Sequence, residues 1–189
     1  MKRSDIARLA SQVIAQFEAD SKLQCFDCPG GATRMLEGIA DTVFSLEIKE
    51  DPTLQAPALG ELNPSLGTIS VRPGLEPGVK AFTIAHEIGH AKCHPGQVLS
   101  DTDDTINDEV GLTQGDDGIF QGYDESSRRE LEANTFAAEL LMPTDLLMAA
   151  LGGHSVDLED DEAVASLAKR FKVSEAAMRY RLSSLGESG

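Results

Sequence analysis

The sequence predicts a mostly helical α+β domain carrying one small antiparallel sheet. Three observations lead there. Long stretches repeat apolar residues at i, i+3, i+4 and i+7, the period of a helix with one buried face. Two short runs, 58–62 and 67–71, flank Asn63-Pro64-Ser65 and read as the strands of a hairpin. The rest is punctuated by Gly and Pro at intervals that suit short connections.

Bulk properties set limits on function. With 189 residues, 41% hydrophobic and 25% charged, the chain is of ordinary globular composition and long enough to bury a core. No apolar run is long enough to span a bilayer and Met1 is not followed by a basic-then-apolar leader, so a cytoplasmic location is expected. Three cysteines, an odd number, do not make a disulfide framework. The net charge of −16 opposes nucleic-acid binding by the whole molecule, which needs clustered Lys and Arg, and suits a basic partner. Only the segment after residue 162 is locally basic, through Lys169, Arg170, Lys172, Arg179 and Arg181.

The elements follow in order. Residues 4–19 place Ile6, Leu9, Ala10, Val13, Ile14 and Phe17 on one helical face, with Ser4 or Asp5 as cap. Cys25-Phe26-Asp27-Cys28 leads into a Pro29-Gly30-Gly31 turn; a lone CxxC is weak evidence for a metal or redox site, and incidental thiols are the simpler reading. A short helix is expected at 33–40, then a strand at 42–48, where Val43, Phe44, Leu46 and Ile48 are apolar. After the hairpin, a helix starts near Pro77, well suited to a first turn, and runs to about Cys93 before Pro95-Gly96. Its apolar residues lie all round, which predicts a central, buried helix.

Residues 99–123 are rich in Asp and Gly without periodicity and read as a solvated acidic loop. Thr105 and Ile106 stand where a calcium loop needs an oxygen ligand and a glycine, so that reading fails. Helices are then expected at 126–141, at 144–151 with Thr144 as cap, at 163–171, and at 174–185 with Ser174 as cap. The division expected is a main domain at 1–162 with a helix-turn-helix-like pair, 163–189, packed on it. DNA reading through Arg179 and Arg181 is disfavoured by the acidity of the remainder.

The chemistry centres on the helix expected at 77–93. His86-Glu87-Ile88-Gly89-His90 is an uninterrupted H-E-x-x-H. Residues four apart on a helix lie about 6 Å along the axis and about 40° around it, so His86 and His90 can clasp one metal ion. Glu87, about 100° round from His86, can face a water there as general base. A hydrolytic zinc site needs a third protein ligand. His94 would sit about 12 Å along the axis from His86, too far to share its ion. A metzincin-type third histidine is absent, since Gly96 holds that position. On the 126–141 helix, phases of about 100° per residue set Glu130 beside the apolar face and Glu132 and Glu139 away from it. Glu130 is therefore the expected third ligand, with Glu132 in reserve, and Asn134 one turn on can hydrogen-bond a ligand histidine. Candidates for an oxyanion stabiliser are Tyr123, His94, Arg128 and Arg129. The edge of the 67–71 strand could take an extended substrate by strand addition.

FTIAHEIGHAKCH at 82–94, followed by ELEANTFAAELLMP at 130–143 and LAKRFKVSEAAMRYRLSSLG at 167–186, resembles the ImmA/IrrE family of HExxH metallopeptidases. The resemblance runs in order from about residue 68 to 186, and the acidic stretch between the first two motifs is longer than the family leads one to expect. It implies a zincin-like fold of gluzincin type, Zn²⁺ on His86, His90 and Glu130, and Glu87 as base. It further implies a cytoplasmic endopeptidase acting on a DNA-binding repressor of the helix-turn-helix kind. The competing expectation is a non-hydrolytic regulator whose zinc site is structural or vestigial and whose acidic surface sequesters a basic partner.

Overall fold

The computed structural model describes residues 1–22, 31–96, 124–154 and 156–186. Among these are seven helices and a three-stranded sheet: α1 (Arg3–Ser21), α2 (Gly31–Phe44), β1 (Glu47–Glu50), β2 (Gly60–Asn63), β3 (Thr68–Val71), α3 (Pro77–Cys93), α4 (Glu125–Leu141), α5 (Thr144–Leu151), α6 (Asp161–Phe171) and α7 (Glu175–Gly186). The fold class is α+β, mostly helical, as the periodicities require. Cys25, Cys28, Tyr123 and the acidic stretch at 99–123 lie outside the described residues.

The sheet corrects two expectations. Its order is β1-β3-β2, with β2 and β3 antiparallel and β1 and β3 parallel, so the sheet is mixed. The hairpin is present as expected, Gly60 opposite Val71 and Asn63 opposite Thr68. But β3 is paired on both sides, so the 67–71 segment offers no edge for an added strand.

The strand expected at 42–48 starts later. Helix α2 continues through Phe44, Ser45 takes a left-handed φ of 55°, and the Leu46 N–H returns to the Ala40 carbonyl at 2.8 Å. Val43 and Phe44 complete a helical face rather than opening a strand, and only Glu47–Glu50 pairs with β3. A run of four apolar residues in seven suits either period, and here the helical packing of Met35, Leu36, Ile39 and Ala40 extends it.

Two expected caps are not used. Helix α1 starts after Lys2 without a side-chain cap, and α5 after Pro143. Helix α6 begins at Asp161 behind Asp160, whose carboxylate accepts from the Ala163 N–H at 3.0 Å. Ser174 does cap α7, its hydroxyl accepting from the Ala177 N–H at 3.2 Å.

Helix α3 is the axis of the molecule. All ten residues from Ala81 to His90 are buried. It lies against α4, α2 and the β2–β3 hairpin, while α1 packs across α4 and α2. Its first turn meets the turn between α6 and α7: a Cβ on Gly78 would come within 2.7 Å of the Ser174 backbone nitrogen and 2.8 Å of the Val173 carbonyl carbon. Val164, Ala168, Val173, Ala177, Met178 and Leu182 join the same core as Ile84 and Phe136.

Candidate metal centre

The two central helices carry the site. Helix α3 presents His86, Glu87 and His90 from its buried stretch, and α4 presents Glu130 in its second turn and Asn134 one turn on. Asp124 anchors the start of α4, its carboxylate accepting from the Ser127 N–H at 2.9 Å and the Ser127 hydroxyl at 3.1 Å.

His86, His90 and Glu130 each aim one ligand atom at a common point, all within 4.8 Å of one another. The two Nε2 atoms are 2.9 Å apart. The Glu130 carboxylate reaches His86 Nε2 at 3.2 Å and His90 Nε2 at 3.5 Å. Two nitrogens on one tetrahedral zinc, each at about 2.0–2.1 Å, stand about 3.3 Å from each other, so the triangle is of the right size. The protonation pattern agrees. His86 Nδ1–H donates to Asn134 Oδ1 at 2.8 Å, which leaves the Nε2 lone pair facing inward. Two inward-facing imidazole nitrogens and a carboxylate this close need a cation among them, shared protons or a metal ion, so the donor set fits a divalent metal.

Electrostatics support the same picture. Burial pushes the Glu130 carboxyl up, but the His86 and His90 nitrogens beside it outweigh this and hold it below the usual glutamate value. The carboxylate is therefore charged and available. Glu87 is fully buried one helix step from His86, and its carboxylate lies against β2. A Cβ on Gly60 would come within 3.0 Å of Glu87 Oε1 and 2.6 Å of Thr83 Cγ2, so the absence of a side chain at Gly60 gives Glu87 its room.

The other candidates fall elsewhere. His94, the C-cap of α3, donates from Nε2 to the Arg129 carbonyl at 3.3 Å, and burial together with neighbouring His90 lowers its pKa. Glu132 is not beside the triangle. It meets the amino group of Met1 and lies 3.7 Å from His94 Nε2. Arg129 pairs with Glu125 on its own helix at 3.5 Å.

Helix α4 departs from its expected phases in one respect. Glu132 and Glu139 are 5% and 6% exposed, although both lie well away from the apolar face that singled out Glu130. Helix α4 is packed by α3, α1 and α7, so it has more than one buried side. Each of these carboxylates is paired: Glu139 receives Arg181 Nη2 at 2.8 Å. Charged residues on a helix signal solvent only when no partner comes to meet them.

Arg181 was the residue that sequence reasoning placed least well. It is 1% exposed, donating to the Met142 carbonyl at 2.9 Å, Thr144 Oγ1 at 2.8 Å and Ser184 Oγ at 3.2 Å as well as to Glu139. Arg179 bonds the Leu158 carbonyl and Asp161. Both arginines of the helix-turn-helix-like pair considered for base reading are thus occupied within the fold.

Comparison with curated proteins yields no match. Among solved structures, a Mycobacterium tuberculosis transcriptional regulator is similar at 20% identity with a TM-score of 0.56. That likeness covers 94% of this chain and 50% of the regulator, so the chain spans about half of that protein's length. It shows a shared fold. The IrrE N-terminal-like domain family, peptidase family M78, matches residues 48–183, a stretch that includes both ligand-bearing helices. With more than two-thirds of its length matched, and with a His-His-Glu cluster at its centre, the chain belongs to the IrrE N-terminal-like domain family of metallopeptidases.

Proposed function

We propose that this protein is a cytoplasmic zinc-dependent endopeptidase that cleaves a DNA-binding repressor of the helix-turn-helix kind. The observation that carries the reading is the convergence of His86 Nε2, His90 Nε2 and the Glu130 carboxylate beside a buried Glu87. Two imidazoles and one carboxylate are a donor set suited to zinc that keeps a position open for a reactant. A structural site would have no use for the fourth residue.

Bound there, zinc supplies Lewis acidity to the reacting carbonyl and water. His86 is oriented for binding by Asn134, and Glu130 holds its charge between the two rings. Glu87 accepts the proton of the attacking water and returns it to the leaving amine. The oxyanion contact falls to one of the sequence candidates Tyr123, His94, Arg128 and Arg129, of which His94 has its N–H directed at the Arg129 carbonyl. The −16 net charge favours encounter with a basic substrate. No described helix is long and apolar enough to cross a membrane. We read the helical pair from residue 163 onward as an extension docked on the metal-bearing domain. The support is the seat of its turn on Gly78 and the burial of Arg181.

The test is cleavage of a helix-turn-helix repressor, with any encoded beside this protein's gene tried first, followed by mass spectrometry of the fragments. Wild type should cut and stop cutting when chelated. Glu87→Gln should retain one equivalent of zinc and lose cleavage. Continued cleavage by that variant would overturn the mechanism, and zinc-dependent repressor binding without cleavage would favour a sequestering regulator.

A further inference from the structure

Gly89 lies inside the HExxH segment, in the middle of a buried helix, where no turn or positive φ calls for glycine. Alanine is the better helix former at such a place, so the choice has another cause. A Cβ at Gly89 would stand 2.9 Å from the Ala133 carbonyl oxygen, 3.1 Å from Ala133 Cα and 3.3 Å from Phe136 Cδ1. The first two are backbone atoms of α4, which cannot swing aside as a side-chain tip can.

The location of this contact matters. Gly89 adjoins His90 and lies three residues after His86; Ala133 adjoins Asn134 and lies three residues after Glu130. The close approach of α3 to α4 is therefore bracketed by the three converging ligands and the residue that orients one of them. The spans it governs are short: 2.8 Å from His86 to Asn134, and 3.2 and 3.5 Å from Glu130 to the two histidines. A shift of a few tenths of an ångström between the helices is a sizeable part of the tolerance of a metal site.

We propose that Gly89 is a positioning residue for metal binding: by admitting the α4 backbone at Ala133, it sets the helix spacing that lets Glu130 and Asn134 close on His86 and His90. This rests on the metal site proposed above. Helix α3 provides its own control. Gly78 makes an equally tight backbone contact, at 2.7 and 2.8 Å, but against the α6–α7 turn and eleven residues, about 16 Å, away along the axis.

The experiment compares wild type, Gly89→Ala and Gly78→Ala by zinc competition against a chromophoric chelator, with thermal unfolding of the metal-free proteins in parallel. Gly89→Ala should weaken zinc binding by about tenfold or more, the size of effect seen when supports of metal ligands are lost. Gly78→Ala should lower thermal stability and leave zinc affinity at the wild-type value. Ala133→Ser, which enlarges the buried α4 residue whose backbone makes this contact, is measured too and should also weaken zinc binding, even if Gly89→Ala does not fold. Wild-type zinc affinity in folded Gly89→Ala, or in Ala133→Ser where Gly89→Ala does not fold, would overturn the proposal; so would an equal loss of affinity in Gly78→Ala. Absence of zinc binding by the wild-type protein would instead overturn the metal site itself.

Discussion

Asn134 shows how a residue without a charge can govern a charged site. It accepts from His86 Nδ1–H, and that one bond chooses the tautomer and the ring orientation of a ligand. Asn134→Ala should weaken zinc binding by about 10–100-fold, measured by chelator competition, with far-UV circular dichroism unchanged. Wild-type affinity in the alanine variant would show that packing alone orients His86. Gly60 and Gly89 act by what they lack, leaving room for the Glu87 carboxylate and the α4 backbone respectively. His86, Glu87 and His90 are legible from four-residue spacing alone, because a helix repeats its geometry wherever it forms. The two glycines carry no such signal, since the atoms they make room for belong to other elements.

Helix α4 owes its start to Asp124. The backbone N–H of Ser127, and then its hydroxyl, hold the Asp124 carboxyl below the ordinary aspartate value. A carboxyl with a depressed folded-state pKa contributes stability that is present above its unfolded value and is lost as pH falls through the folded one. Asp124→Asn keeps a capping oxygen but removes the titration. Its thermal stability should therefore fall less steeply than that of wild type as the pH drops below the aspartate range, in paired unfolding curves. Parallel curves for the two proteins would mean that the cap charge is irrelevant to α4. At the level of elements the sequence was informative wherever proline and glycine bounded a helix, as in α3, whose bounds at Pro77 and Cys93 match the reading, with a proline in its first turn and Pro95-Gly96 soon after its end. It was least so near residue 44, where helix and strand periods compete over a few residues.

Across the whole molecule, a buried charge binds the C-terminal pair to α4, which carries Glu130, and to α5. Arg181 joins α7 to Glu139 on α4, to Met142 at its C-cap and to Thr144 on α5. Burial lowers the Arg181 pKa, and the Glu139 charge works against that effect. Arg181→Ala would leave Glu139 buried without its cation and should cost about 3–5 kcal/mol in urea unfolding. Adding Glu139→Leu to Arg181→Met should recover part of that loss, since the pair must be broken rather than replaced to be expensive. A loss below about 1 kcal/mol in the single variant would show the clamp to be incidental.

By itself the sequence determined the helix periods, the hairpin, the family and the histidine clasp with its adjacent glutamate. Each depends on spacing along the chain, and spacing survives without knowledge of neighbours. The place of Glu130 beside the two histidines was legible too, since it borders the main apolar face of α4. Only the tertiary structure decided that β3 is the central strand, that Glu132 and Glu139 are buried and paired, and that Arg181 points inward. Those outcomes depend on which elements meet. A charge buried beside an opposite charge looks, in the sequence, the same as a charge left in water.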